Sequence, residues 1–332
     1  MTDGRTVMVL GANGRLGRAA ALAFAAAGWQ VLAQGRRAPR APLPAGVRWV
    51  QADALDAAAL QAAAGPRLDV LVHALNPDYT RWARDLPPLT AAVLALARRT
   101  GATVMLPGNV YNFGRALPAV LTEDTPVAAD HPKAAQRIAL EAALAAAAAD
   151  GVRSIVLRAG DFLGDAGTWL DLAMGRGLAR GRFVQMGPAD LPHAWAWLPD
   201  LARSFVAVAE RRAALPPHAV LHVPGHTLTG AELQQALAAA LGRPLQARPF
   251  PWWALRLAAG LPGRPGAMPR ALLEMRHLWL RPHRLDGARL QALIGPPPHT
   301  PLDAVARACI AAMGLAPGGA AAAPARPAPH AG

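Results

Sequence analysis

The chain has 332 residues, 53% of them apolar, enough for a sizeable core in one large domain or a main domain with a smaller companion. Its formal charge of +13 does not point to nucleic acid: the arginines are scattered singly among alanines and prolines, and only two tyrosines and six phenylalanines are present to stack on bases. The longest alanine-rich run, residues 142–149, is far short of the ~20 apolar residues of a bilayer crossing, the N-terminus lacks a signal pattern and the single cysteine, Cys309, cannot form an internal disulfide; a cytoplasmic protein with no membrane partner is expected.

Residues 6–10 (TVMVL) form a short apolar run stopped by Gly11 and predict a buried strand. Residues 15–27 are apolar on a helical period and end at Gly28. Further strands are expected at residues 29–33, 47–51, 68–74, 103–106 and 152–158, with helices at 53–64, 89–99 and 132–149 between them. A Pro- and Arg-rich loop fills residues 36–46. This alternation predicts an α/β fold, a parallel sheet covered by helices on both faces.

Beyond Gly160 the rhythm breaks. Residues 169–187 read as helical and then irregular, 194–198 and 221–224 as strands, and 199–211, 231–241, 250–261 and 270–280 as helices. A doubly wound domain over residues 1–165, completed by about 194–224, is expected. Residues 166–193 and 225–313 would form a smaller, mostly helical substrate region, and residues 314–332 a disordered tail.

The turn after the first strand reads Gly11-Ala12-Asn13-Gly14-Arg15-Leu16-Gly17, a GxxGxxG spacing that opens a helix. Gly11 permits the tight exit, Gly14 lets backbone approach a pyrophosphate, and Gly17 allows close helix packing. The helix N-terminus offers free N–H groups to phosphate. These features predict a Rossmann-like dinucleotide site.

In NAD enzymes an acid ~20 residues past the glycines binds the ribose 2′-OH. Here that place reads Ala33-Gln34-Gly35-Arg36-Arg37. With no carboxylate and two guanidiniums, NADP(H) is preferred over NAD(H), with Arg36 as the main contact and Arg15 assisting. Asp53, followed by Ala54, is placed to meet the adenine amino group or to N-cap the next helix.

The chain resembles the extended short-chain dehydrogenase/reductase family, in its NAD-dependent epimerase/dehydratase branch. The resemblance rests on GANGRLG, Ala52-Asp53-Ala54, Val72-His73-Ala74, the segment Gly108 to Gly114 (GNVYNFG), Leu157 to Gly164 (LRAGDFLG) and Trp197 to Ala202 (WLPDLA). It implies cofactor contacts from Gly11, Asn13, Gly14, Arg15, Leu16, Gly17, Asp53, Ala54 and Ala74. It also implies a Tyr-x-x-x-Lys pair on the long helix and a Ser or Thr after the fifth strand. Lys133, the only lysine, falls where that lysine belongs, but the residue four earlier is Ala129, and the Ser/Thr position falls on Pro107 or Gly108.

Three readings follow. The first is carbonyl reduction on a small organic substrate, with Lys133 holding the nicotinamide ribose or acting as the acid. Tyr111 is then the best proton donor, with His131, Asp130 and Tyr79 as others. The second is an NADP(H)-binding sensor or interaction protein without turnover. The third is a sugar-nucleotide epimerase or dehydratase. Substrate is expected near residues 75–78, 109–112 and 160–162, against a wall that includes Trp252, Trp253, Met275 and Trp279. His73 reads as a satisfied core histidine. No metal site is expected, and the protein is expected to be a monomer or homodimer.

Overall fold

The computed structural model describes residues 4–316; the expected tail lies outside the described residues from position 317 onward. The glycine-bounded apolar runs of the first half form β1 (Thr6–Leu10), α1 (Arg15–Ala26), β2 (Gln30–Gly35), β3 (Val47–Gln51), α2 (Ala57–Ala64) and β4 (Val70–His73). Next come α3 (Trp82–Thr100), β5 (Thr103–Gly108), β6 (Val120–Leu121), α4 (Pro132–Ala146) and β7 (Ser154–Arg158). The second half adds β8 (Asp161–Leu163), β9 (Arg182–Gln185), β10 (Pro192–Trp197), α5 (Leu198–Arg211), β11 (His218–His222), β12 (His226–Thr229), α6 (Gly230–Leu241) and β13 (Gln246–Pro249). The chain closes with α7 (Trp252–Ala259), α8 (Arg264–Glu274), β14 (Arg284–Leu285), α9 (Ala288–Ile294) and α10 (Leu302–Ala312).

Seven strands pair in the order β11-β7-β5-β4-β1-β2-β3, and every pairing is parallel. Alternation along the strands divides two cores. Met8, Leu10, Leu71, Val104 and Leu106 face the α2–α3–α4 layer, while Val7, Val9, Val72 and Met105 face α1 and α5. The chain order reverses between β1 and β4, so the crevice above their carboxyl ends is the topological switch point.

A third core around Leu163, Met174, Phe183, Trp195, Leu237, Val305 and Ile310 builds the smaller region. Within residues 194–224, α5 and β11 join the Rossmann layers, but β10 pairs instead with β8 and β12 in a separate three-stranded sheet.

Two expected helices of the first half change their starts, and in the second half the helix expected at 270–280 is α8, which starts at Arg264. α3 begins at Trp82, not at residue 89, and runs through Pro87 and Pro88. Burial of Trp82 and Leu86, each 2% exposed, anchors its first turns and outweighs the two lost backbone bonds. α2 begins at Ala57, because residues 53–56 close a turn through Asp56 N–H donating to the Asp53 carbonyl at 3.0 Å. Asp56, not Asp53, is the N-cap, accepting from Ala59 N–H at 2.9 Å.

Candidate active site

The glycine turn is built so tightly that side chains are excluded. Gly11 has φ +82°, and a Cβ there would lie 2.8 Å from the Ala74 carbonyl oxygen. A Cβ on Gly17 would lie 2.2 Å from the Gly11 carbonyl oxygen, so this glycine fits the helix to the turn itself. Gly14 begins α1 with no side-chain cap and no acid in the first turn, which leaves that end open to an anion. The residues therefore fit a dinucleotide pyrophosphate. Leu16 is buried beneath the turn and Ala54 beside it.

Gln34 occupies the end of β2 where an acid was sought. It is 1% exposed and turned inward, accepting from Gly11 N–H at 2.9 Å and donating to the Ala52 carbonyl at 2.7 Å. It thus locks the glycine turn to the exit of β3. Asn13 stitches the same turn to the next loop, donating to the Arg37 and Ala38 carbonyls and accepting from Arg40 N–H at 3.2 Å. Arg36 and Arg37 stand exposed beyond it, and among the described residues Arg36 makes no ion pair or side-chain hydrogen bond. Asp53 accepts from Leu55 N–H at 2.9 Å on the exposed side of its turn. Arg15 reaches across the crevice to the Gly167 carbonyl, away from the Arg36 loop.

On the other side of the switch point, Tyr111 lies in a short 3-10 turn after β5, where Asn109 accepts from Tyr111 N–H at 3.1 Å. Its hydroxyl is 3.0 Å from that of Tyr79, which comes from the turn between β4 and α3. The Tyr79 ring stacks on Trp82 at 4.8 Å. Burial raises both phenol pKa values, Tyr111's the further; their shared hydrogen bond raises Tyr111 and lowers Tyr79, and the Arg137 guanidinium lowers both. Tyr79 is half-buried whereas Tyr111 is 5% exposed, so Tyr79 is the more accessible of the two phenols.

Asp161, at the start of β8, adds negative charge to both phenols and pairs with His193 Nε2 at 2.9 Å. That placement follows from Gly160, where a Cβ would lie 2.1 Å from the Ala194 carbonyl oxygen, so β8 runs tight along β10. His193 in turn stacks on Trp279 with ring centroids 4.3 Å apart.

α4 starts at Pro132, as the sequence predicts, and its inner face carries three buried charged side chains. Ala129 precedes the helix in irregular chain, and His131 is the N-cap, accepting from Ala134 N–H through Nδ1 at 3.3 Å. Lys133 follows Pro132 in the first turn, 4% exposed, and its ammonium donates to the Tyr79 backbone carbonyl beside the Tyr79 and Trp82 rings. Burial lowers its pKa, opposed by Glu274 and Asp78. One turn on, buried Arg137 donates to the Pro107 carbonyl at the end of β5. A further turn on, Glu141 holds Arg158 in a buried two-pronged ion pair at 2.7 and 3.2 Å, and Arg158 also donates to the Asn109 carbonyl. The i, i+4, i+8 series Lys133, Arg137, Glu141 thus secures the segments carrying both tyrosines. That spacing was the available signal for Arg137 and Glu141, and it puts Lys133, not Ala129, at the first position of a facing pair.

Two other expectations change. His73 is 1% exposed with neither ring nitrogen hydrogen-bonded, so it is not a satisfied core histidine; burial, aided by Arg137, lowers its pKa to about 3. Trp253 points outward, 68% exposed, instead of lining a substrate wall. Met275 and Trp279 are buried, and Trp279 joins His193 and Trp195 around a narrow cavity also lined by Met174 and Met186.

A seven-stranded parallel sheet with a tight glycine turn at its switch point defines a Rossmann-like dinucleotide-binding fold. The family model described as the NAD dependent epimerase/dehydratase family matches residues 7–221, and the chain belongs to that family. No curated protein matches it in sequence.

Solved structures share the fold. A Burkholderia cenocepacia J2315 protein with a provisional epimerase designation is 23% identical, with TM-score 0.70 over 94% of this chain and 98% of its own. UDP-glucose 4-epimerase from Brucella ovis, in complex with NAD, is 19% identical, with TM-score 0.72 over 94% and 99%. The NDP-hexosamine 5,6-dehydratase TunA, of tunicamycin biosynthesis, is 17% identical, with TM-score 0.69 over 93% and 97%. Among the described residues, no helix is long and apolar enough to cross a membrane.

Proposed function

We propose that this chain is an NADP(H)-dependent reductase of a carbonyl on a small organic substrate, with Tyr79 as the proton donor. The observation that carries this reading is the part-buried pair of phenol oxygens, 3.0 Å apart, beyond the carboxyl ends of β4 and β5. The nicotinamide, when bound, supplies a hydride. The substrate oxygen then gains negative charge and needs an acid within hydrogen-bond reach. Tyr79 O–H donates to that oxygen, and Tyr111 O–H donates to the Tyr79 oxygen as it becomes a phenolate. Arg137 supplies the positive charge that favours the phenolate. Lys133, engaged with the Tyr79 carbonyl, positions the Tyr79 turn in this reading, and the ribose-holding role is the alternative that the Lys133 variants separate.

Cofactor choice follows from the β2 exit. Gln34 is committed to the turn, no carboxylate lies in residues 33–37, and exposed Arg36 is free to meet a 2′-phosphate. A second reading, epimerase or dehydratase chemistry on a sugar nucleotide, is favoured by the family and by the UDP-sugar epimerase neighbours. It needs a group that takes a proton near neutral pH, whereas burial keeps both phenols protonated.

The test is calorimetric titration of the full chain with NADPH and NADH, then NADPH consumption over a panel of apolar ketones and aldehydes. Tighter NADPH binding and turnover that disappears in Tyr79→Phe support the proposal. NADPH binding without consumption of any carbonyl favours a sensor instead, and equal affinity for the two cofactors overturns the NADP(H) assignment.

A further inference from the structure

The smaller region carries an apolar face with nothing packed on it among the described residues. Trp253 and Leu257 on α7 are 68% and 70% exposed, more than any other large apolar side chain described, and Leu261 just beyond is 51% exposed. Their spacing, i, i+4, i+8, makes one stripe. Met268 on α8 is exposed as well, and the two helices pack on each other as a hairpin. Isolated exposed apolar residues are ordinary; a contiguous protruding stripe marks an interaction surface.

Charge identifies the partner. Residues 243–284 hold eight arginines, one glutamate and no aspartate. Glu274 is half-buried, with its charge beside Lys133, while Arg248, Arg256, Arg270 and Arg281 are exposed. A second copy docking through the same patch would set one arginine ring against another, and like charges would oppose it. A protruding Trp-bearing helix rimmed by arginines has the composition of an interfacial amphipathic helix.

We propose that the α7–α8 hairpin docks the chain on an anionic lipid surface, Trp253 and Leu257 entering the headgroup boundary while Arg248, Arg256 and Arg281 meet headgroup phosphates. This docking revises the expectation of no membrane partner, needs no spanning segment, and is independent of the reaction assigned above.

Flotation of the full chain with phosphatidylcholine vesicles, with and without phosphatidylglycerol, tests it. The chain floats with the anionic vesicles and not with the neutral ones. In the double variant Trp253→Ser, Leu257→Ser, flotation falls to about a tenth or less. Both side chains lie outside the core, so an unchanged melting temperature verifies that the variant is folded. Three results overturn the proposal: no flotation with anionic vesicles, undiminished flotation of the variant, or a concentration-dependent dimer that the variant abolishes while vesicles bind neither protein.

Discussion

The hydroxyls of Tyr79 and Tyr111 lie 3.0 Å apart, brought together from the ends of neighbouring strands β4 and β5. Of the two, Tyr79 is the more exposed and therefore the one a substrate can reach. Tyr79→Phe is expected to lower kcat for NADPH-dependent reduction by roughly 10²–10⁴-fold, while Tyr111→Phe costs about 10-fold, one hydrogen bond to the phenolate. NADPH affinity is unchanged in both. Steady-state kinetics with fluorescence titration checks this, and equal losses would remove the distinction between donor and support.

Lys133 donates to the Tyr79 backbone carbonyl, and in the proposed reaction it acts by positioning that turn. Lys133→Met is expected to lower kcat by about 10–100-fold without weakening NADPH binding, and Lys133→Arg recovers part of the rate. A ribose-holding lysine would instead raise the NADPH Kd. Titration of both variants separates the roles.

Arg36→Ala is expected to weaken NADPH binding by about 10-fold or more and leave NADH binding unchanged, because only the former carries the 2′-phosphate. Gly17→Ala is expected to abolish both, since its Cβ would sit 2.2 Å from the Gly11 carbonyl oxygen. Calorimetry with each cofactor measures both effects.

Removing one side of the Glu141–Arg158 pair leaves a buried guanidinium without its counter-charge. Glu141→Ala is expected to destabilise the fold by about 3–5 kcal/mol, read as a lowered urea midpoint.

Burial depresses seven histidines, four of them far: His73 and His283 to about 3, and His131 and His222 to about 4, with His218, His226 and His277 also lowered. Unfolded, each titrates near 6.5, so below that pH the unfolded chain binds protons that the folded chain refuses. Stability is therefore full above about pH 6.5 and falls as pH drops toward about 4, by roughly 1.4 kcal/mol per pH unit for each far-shifted histidine. Urea midpoints at about pH 7 and about pH 5 check this. The replacement His283→Gln is expected to flatten the dependence.

Local patterns carried the first half of the fold. Short apolar or β-branched runs alternating with helical periods predict strands of a parallel sheet, and β1 to β5 follow. The second half was less legible. β8, β9, β12 and β13 are three or four residues long and gain their partners from distant segments, which no local period announces. α3 was read too short because two prolines outweigh local pattern but not the burial of Trp82.

By itself, the sequence determined the glycine turn, the missing acid after β2 and the crevice they serve, since each depends on one residue's backbone freedom or charge. Tertiary structure alone decided that Gln34 turns inward, that Tyr79 meets Tyr111 32 positions away, and that Lys133 serves the backbone of Tyr79. Those are matters of direction and distance between segments far apart in the chain. A helix repeats every 3.6 residues, so the start of α4 at Pro132, legible in the sequence, puts Lys133, Arg137 and Glu141 on one face, and tertiary packing turns that face to the site.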